Sequence, residues 1–368
     1  MDKISVLHLV DSLSAGGAER MAVSLVNSLP VEQFRSFLCA SRCSGPLQEY
    51  IKPHVTFYEL HRKGRFDILA FFRLVNFVRD ENIQIIHAHT TSLFLAAVVC
   101  LLLPKLKLIW HDHYGPQDVR LRPTLLYRPF IRRAHIVLTV TRRLAEWSIG
   151  VIGVAHRRVQ YLPNFAEEQN DKLKKIDLPG KKGMRIVCVA NIRAQKDHLT
   201  LVRAMEQVVK LVPESHLLLV GAETDSNLSE QVRKNVHISG LDEHITFLGV
   251  RKDINQILAN VDVGVLSSVS EGFPVTLLEY GYASLAVLAT EVGECAEILD
   301  NGKAGILVSP GDVDALAKAL LHLLEQLQLR QTLGENLRQR VKNNYSQEII
   351  MTQLTDIYTQ LISESETA

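Results

Sequence analysis

Two carboxylates, Glu271 and Glu279, bracket the stretch of this chain best suited to chemistry. Between them stand Gly272, Phe273, Pro274, Val275, Thr276 and Leu277. The apolar run from Val261 to Leu266 just before them reads as a short buried strand. Pro274 then reads as the first turn of a helix, where a missing N–H costs nothing. The amides of Val275, Thr276 and Leu277 are expected to point out of the helix N-terminus, with the positive end of its dipole behind them. Gly272 lets the backbone come close to whatever sits there. Such a terminus suits an anion, and phosphate is the usual one. A bare anion site has no use for two flanking carboxylates, so a ligand with both phosphate and hydroxyl groups fits better. A nucleotide sugar is such a ligand.

Other reactive residues cluster at the expected ends of strands. His87, His89, His111 and His113 close two neighbouring strands, with Asp112 between two of them and placed to orient one. Neutral imidazoles suit sugar hydroxyls, although strand-end histidines also serve as structure. Zinc is not expected, because no cysteine and no clear ligand spacing accompany them. Arg193 and Lys196, in a loop between a strand and a helix, can supply a fork and a point charge to a diphosphate; a plain solvated loop is the other reading. Gly16 and Gly17, in the loop from Ser12 to Glu19, mark either a close approach to a ligand or a tight turn. The loop is not Gly-x-Gly-x-x-Gly, and no acidic residue ends the next strand, so a dinucleotide site is disfavoured. From Arg120 to Arg143 seven arginines, at 120, 122, 128, 132, 133, 142 and 143, alternate with Leu121, Leu125, Leu126, Tyr127, Phe130 and Ile131. This is either a surface for anionic lipid or a packed helix with a solvated basic side.

These residues need a scaffold with many strand ends. The chain alternates strand-like and helix-like patterns twice, the signature of parallel sheets covered by helices. Strands are expected at Ile4–Val10, Phe34–Ala40, Val55–Leu60, Ile83–His87, Leu106–Trp110 and Ile136–Val140. After a polar break they resume at Arg185–Ala190, His216–Val220, Ile245–Leu248, Val261–Leu266, Val287–Thr290 and Gly305–Val308. Helices are expected at 312–327 and, last, at 347–362. The expected domains are 1–165, a linker 166–183, a second domain 184–345, and a tail 346–368. At 368 residues two cores are the natural expectation. The net charge of +1 gives no global case for nucleic acid. Five scattered cysteines indicate a reducing compartment. The apolar run from Leu93 to Leu103 is short for a spanning helix, so a cytoplasmic protein is expected.

Taken in order, the motifs resemble those of the retaining glycosyltransferases of family 4, whose fold is called GT-B. The resemblance rests on Glu271-Gly-Phe-Pro followed by Glu279, a Glu-x7-Glu pattern, with Ala289-Thr-Glu-Val-Gly-Glu294 downstream. Gly16-Gly-Ala-Glu-Arg20, His87-Ala-His89, Gln195-Lys-Asp, and Ala304-Gly-Ile-Leu-Val308 before Pro310-Gly-Asp312 extend it over nearly the whole chain. It implies two Rossmann-like α/β domains facing across a cleft, with the last helix crossing back to the first. It also implies that Glu279 holds the donor's ribose and Glu271 contacts the transferred sugar. The amides from Gly272 to Leu277, with Arg193 and Lys196, would take the charge of the leaving diphosphate. Gly16 and Gly17 would frame donor and acceptor, and His113, or else His111, would contact the sugar. His89 is placed on the same acceptor side.

Two departures stand out. Ser284-Leu-Ala286 replaces the family's Gly-x-Pro turn, so a shifted turn is expected. Arg193 stands in for a basic residue that the family carries near Ala190-Asn191. The implied activity is retaining, metal-independent transfer of a sugar, with a UDP-sugar as expected donor, to a glycan or lipid-linked acceptor. It needs no cofactor besides that co-substrate. It would serve surface polysaccharide or glycoconjugate synthesis, at the inner membrane face if the arginine-rich stretch touches lipid. A sugar-nucleotide epimerase of the same fold and a non-catalytic nucleotide-sugar- or glycan-binding protein remain the alternatives.

Overall fold

A computed structural model describes residues 3–14, 16–114, 122–168 and 176–366, with side chains to 364. The chain divides into two units: residues 1–165 with 347–368, and residues 166–346.

Seven parallel strands form the sheet of the first unit: β1 Ile4–Ser12, β2 Phe34–Cys43, β3 Val55–Glu59, β4 Ile85–His89, β5 Lys107–Asp112, β6 Ile136–Thr139 and β7 Val159–Tyr161. Their order is β3-β2-β1-β4-β5-β6-β7. β1 and β4 are buried along almost their whole length, as strands covered on both faces must be. Strand order reverses between β1 and β4, and open α/β sheets hold ligands beyond the carboxyl ends of such a switch point. Register gathers the histidines there. His8 lies beside His87 and His89 beside His111. The two-residue repeat of a strand puts His87 and His89 on one face.

The second unit repeats the plan with β8 Arg185–Val189, β9 His216–Val220, β10 Ile245–Gly249, β11 Val263–Leu266, β12 Ala286–Thr290 and β13 Ile306–Val308. The order β10-β9-β8-β11-β12-β13 places its switch between β8 and β11. Leu178 is buried, and Arg185 binds the carbonyls of Leu178, Pro179 and Gly180. The described part of the polar break is therefore held against the second unit.

Besides β7, which the sequence did not lead one to expect, three features differ from the sequence expectation. A long helix, Leu327–Asn344, follows the helix Val313–Glu325, where no element is legible in the sequence. It buries only Leu333, Gly334, Leu337 and Val341, too thin a stripe for a periodicity signal. The turn after Glu279 is not shifted: Ser284 takes the left-handed conformation itself, at φ 55°. The amide of Leu285 reaches the carbonyl of Tyr280 as in a glycine-capped helix end. Arg338 steadies this serine, donating to Ser284 Oγ and to the Tyr282 carbonyl. Finally, the arginine-rich stretch is not one element. Its described part contains a helix Thr124–Ile131, β6 and a helix Arg142–Trp147; Arg120 and Leu121 lie outside the described residues.

Candidate active site

The turn that opens the helix Val275–Tyr282 leaves the end of β11, beside the loop that leaves β8. The adjacency of β8 and β11 therefore brings Lys196 to Glu271: Nζ lies 2.5 Å from Oε1. Ser268 Oγ donates to the same oxygen at 2.5 Å. Backbone contacts join the two loops as well, with Ser267 Oγ donating to the Lys196 carbonyl and the Val269 amide to Gln195. The pair is largely shielded, with 22% and 10% of the lysine and glutamate side chains exposed. In such a setting a lysine and a carboxylate hold each other's orientation.

Gly293 fixes the other side of the Glu271 turn. It has φ 55°, and a Cβ there would stand 2.4 Å from the Glu271 carbonyl oxygen. The next amide, that of Glu294, donates to the Gly272 carbonyl at 3.0 Å. Phe273 and Pro274 are buried, Phe273 edge-on to Tyr345. They anchor the turn. Pro274 occupies the position before the helix, and no side chain caps that terminus. One expected donor is removed: the Leu277 amide bonds the Pro274 carbonyl at 3.1 Å, and the residue is fully buried. The terminus is thus built from Val275 and Thr276, both half-buried. Glu279 is half-buried on the same helix. Arg193 is exposed, its Nε 3.3 Å from Thr224 Oγ1.

In the first unit Gly16 precedes the helix Gly17–Asn27. The carboxylate of Glu19 folds back over Gly16, where an added Cβ would meet Oε2 at 2.1 Å, whereas a Cβ on Gly17 would meet nothing within 4 Å. Gly17 is the open position of the two.

The histidines form a connected group larger than the sequence showed. His111 Nδ1 lies 3.1 Å from His87 Nε2, and His87 Nδ1 lies 2.5 Å from the Tyr358 hydroxyl. That hydroxyl lies 3.1 Å from His8 Nε2. His8 Nδ1 lies 3.0 Å from His89 Nε2, and His89 Nδ1 lies 2.9 Å from His113 Nε2. Burial pushes His8 and His113 down to about 3. Burial, and secondarily the neighbouring imidazoles, hold His87, His89 and His111 well below the usual histidine range. All five are neutral at pH 7.

Two expectations change here. His89 and His111 are fully buried with ring nitrogens engaged by other rings, so they stand behind His113, which is half-buried, rather than beside it at a ligand. Asp112 is engaged by Arg122, with oxygens 2.7 and 3.1 Å from the guanidinium. Arg122 is itself caged among Tyr114, Tyr127 and Trp147 and leaves the basic surface. His8 carried a sequence signal, a polar residue inside an apolar strand. Tyr358 carried none, since only tertiary structure brings it to His8. Two triads, His8–His87–His89 and His89–His111–His113, bring ligand-type nitrogens within 4.8 Å of one another. Those residues also bond one another through ring nitrogens, which competes with a cation.

Among the described residues no helix is long and apolar enough to cross a membrane. A family model described as Glycosyltransferase Family 4 matches residues 15–169, and one described as Glycosyl transferases group 1 matches residues 183–326. The chain is 25% identical to an N-acetyl-alpha-D-glucosaminyl L-malate synthase of Bacillus anthracis, over 84% of this chain and 83% of that protein. It is 23% identical to the UDP-Gal:alpha-D-GlcNAc-diphosphoundecaprenol alpha-1,3-galactosyltransferase of Escherichia coli, over 98% of each. Its fold is similar to that of a glycosyltransferase from Rickettsia africae, with a TM-score of 0.82 and 19% identity over 98% of this chain and 99% of that one. It is also similar to Anabaena HepE in complex with UDP-glucose, with a TM-score of 0.81 and 18% identity over 97% and 100%. Two parallel sheets, each with its own switch point, give the GT-B architecture, and with both units matched the chain belongs to the family 4, group 1 glycosyltransferases.

Proposed function

We propose that this glycosyltransferase moves a sugar from a UDP-sugar to a hydroxyl of a glycan or lipid-linked saccharide, with retention at the anomeric carbon and without a metal ion. The observation that carries the reading is the Lys196–Glu271 pair, set beside an uncapped helix terminus that leads to Glu279. Lys196, Arg193 and the amides of Val275 and Thr276 meet the charge that grows on the leaving diphosphate, the term that most lowers such barriers. On this reading they do the work that a divalent ion would otherwise do at the diphosphate. Both bonds to Glu271 fall on Oε1, so Oε2 is the oxygen offered to a sugar hydroxyl. Glu279 takes the ribose. Gly17, with Gly16 behind it, and His113 serve the sugar and acceptor.

The E. coli relative's name specifies UDP-galactose and a diphosphoundecaprenol-linked acceptor, which supports a lipid-linked substrate class. So does the surface of the first unit. Leu125 and Leu126 are 86% and 55% exposed beside exposed Arg128, Arg132 and Arg133. Phe66, Ile68 and Leu69 are likewise exposed beside Lys63 and Arg65. Apolar tips among cations suit an anionic lipid surface at the inner membrane face. Glu279→Ala should abolish UDP-sugar binding in a thermal-shift panel, together with transfer; retention of both defeats the site assignment. Product analysis distinguishes transfer from epimerisation. Neutralising Arg128, Arg132 and Arg133 together should weaken binding to phosphatidylserine vesicles, and unchanged binding removes the membrane reading.

A further inference from the structure

The two strands at the switch point of the second sheet separate towards their carboxyl ends. β8 and β11 pair at Ile186 with Val263 and at Val187 with Gly264, and no further. Beyond that point each keeps its outer partner: Cys188 and Val189 stay on β9, while Val265 and Leu266 stay on β12. A crevice opens between them, and the backbone groups along its walls have lost the rungs of a ladder. Buried N–H and C=O groups are costly to leave unpaired.

Side chains of the helix Val275–Tyr282 take the place of those rungs. The Val189 amide donates to the Tyr280 hydroxyl at 2.9 Å. That hydroxyl stands 3.3 Å from the Val187 carbonyl and 3.4 Å from the Val265 carbonyl, within donating reach of both strands. Thr276 Oγ1 donates to the Val189 carbonyl at 3.4 Å. Thr276 and Tyr280 lie one helical turn apart and share a face, so both backbone groups of Val189 are bonded to that face. Gly264 makes the room. A Cβ there would stand 2.6 Å from the Tyr280 ring, which is fully buried.

The three elements joined in this way carry the site. The loop with Lys196 leaves β8, the turn with Glu271 leaves β11, and Glu279 precedes Tyr280 on the helix. Lys196 and Glu271 meet through partly exposed side chains, whereas the Tyr280 hydroxyl meets the backbone of both strands from inside. We infer that Tyr280, with Thr276, is a positioning residue of the donor site, whose hydroxyl holds the helix terminus and Glu279 at a fixed distance from the Lys196–Glu271 pair. This rests on the reading of that pair as the group that meets the leaving diphosphate. The ribose end and the diphosphate end of one donor are then set against each other by a single buried phenol. A misplacement of about 1 Å between such groups can cost about 100-fold in rate.

The test compares Tyr280→Phe with the unaltered protein at a temperature below the melting points of both. UDP binding is followed by calorimetry, and turnover as UDP released from the UDP-sugar that the thermal-shift panel selects. Tyr280→Phe should bind UDP within about twofold of the unaltered protein and turn over about tenfold more slowly, because the ribose contacts survive while the alignment of the leaving group does not. Unchanged turnover, however far Tm falls, makes the hydroxyl a fold-stabilising group alone and overturns the inference. UDP binding weakened as much as turnover overturns it too, since the hydroxyl then shapes the ribose site and aligns nothing. Thr276→Val keeps the shape and the amide while removing one bond, and should slow turnover about threefold with UDP binding kept. If Tyr280→Phe does not fold, full turnover by Thr276→Val overturns the inference in its place. Full turnover by Lys196→Ala removes the reading on which the inference stands. Lost turnover there, beside full turnover in Tyr280→Phe, removes the inference alone.

Discussion

In the first unit five imidazoles and a phenol meet at the switch point between β1 and β4, neutral and, except for the half-buried His113, buried. In the second, a lysine and a glutamate meet at the switch point between β8 and β11 as a partly exposed ion pair. The sheets share a plan, yet the two ends recognise by opposite means. A neutral network fixes direction by requiring each donor to find an acceptor, so it is little affected by salt and intolerant of added protons. An ion pair fixes position through charge and responds when another charge arrives. The neutral end is suited to hydroxyls, and the charged end to a diphosphate.

Acid breaks this comparison most strongly. The folded-state pKa values of His8 and His113, about 3, lie below the 6.5 of an unperturbed histidine. Stability from their neutrality is therefore full above pH 6.5 and is lost as pH falls from 6.5 towards 3. Each such histidine contributes a slope of about 1.4 kcal/mol per pH unit over that window. His87, His89 and His111 add in the same direction. In the second unit His198, pushed down to about 4, and His216 contribute less. Both tryptophans, Trp110 and Trp147, lie in the first unit. Urea melts followed by tryptophan fluorescence should show that unit losing stability as pH drops from 7 to 4.5. A flat midpoint over that range contradicts the neutral network.

Lys196→Ala attacks the charged end. On the proposed role it removes one cation from the leaving group and leaves Glu271 with Ser268, so kcat should fall about 100- to 1,000-fold. The acid sensitivity of the first unit should not change, and the tryptophan-detected melts check this. Gly293→Ala is milder. A side chain at φ 55° is strained by about 1–3 kcal/mol, and the new methyl presses on the carbonyls of Glu271 and Gly272. The second unit should melt earlier and transfer should weaken, with tryptophan fluorescence unchanged at the onset of melting. Smallest is Ser284→Gly, which relieves a left-handed serine and should stabilise the second unit by about 1 kcal/mol. Calorimetry should show a small rise in Tm with activity intact.

How much of this was legible in the sequence follows the same division. The charged end was readable because its parts are near in sequence: Glu271, Gly272, Pro274 and Glu279 share one strand-turn-helix segment, and Lys196 follows an evident strand. The strand-end positions of His87, His89, His111 and His113 were readable from apolar runs with polar termini. What they do was not, because it depends on which nitrogen faces which. Arg122 looked like one more surface cation until Asp112 and a ring of aromatic side chains enclosed it. The helix Leu327–Asn344 was invisible because its buried stripe is too thin to show a period. Gly334 within that stripe serves packing: a Cβ at 334 would stand 2.1 Å from the Ser284 carbonyl oxygen.

Tyr358 belongs to the helix Gln347–Glu366, which clusters with the first unit although the whole second unit separates it from β7 in sequence. During synthesis the seven strands of that unit leave the ribosome well before the hydroxyl that joins His8 to His87. Domains generally fold as they emerge, but this one must wait, with two imidazole nitrogens lacking their partner, until the rest of the chain has been made. Assembly of the neutral site is thus timed by chain order. A fragment ending before residue 347 should resemble the first unit in secondary structure while lacking the hydroxyl that joins His8 to His87.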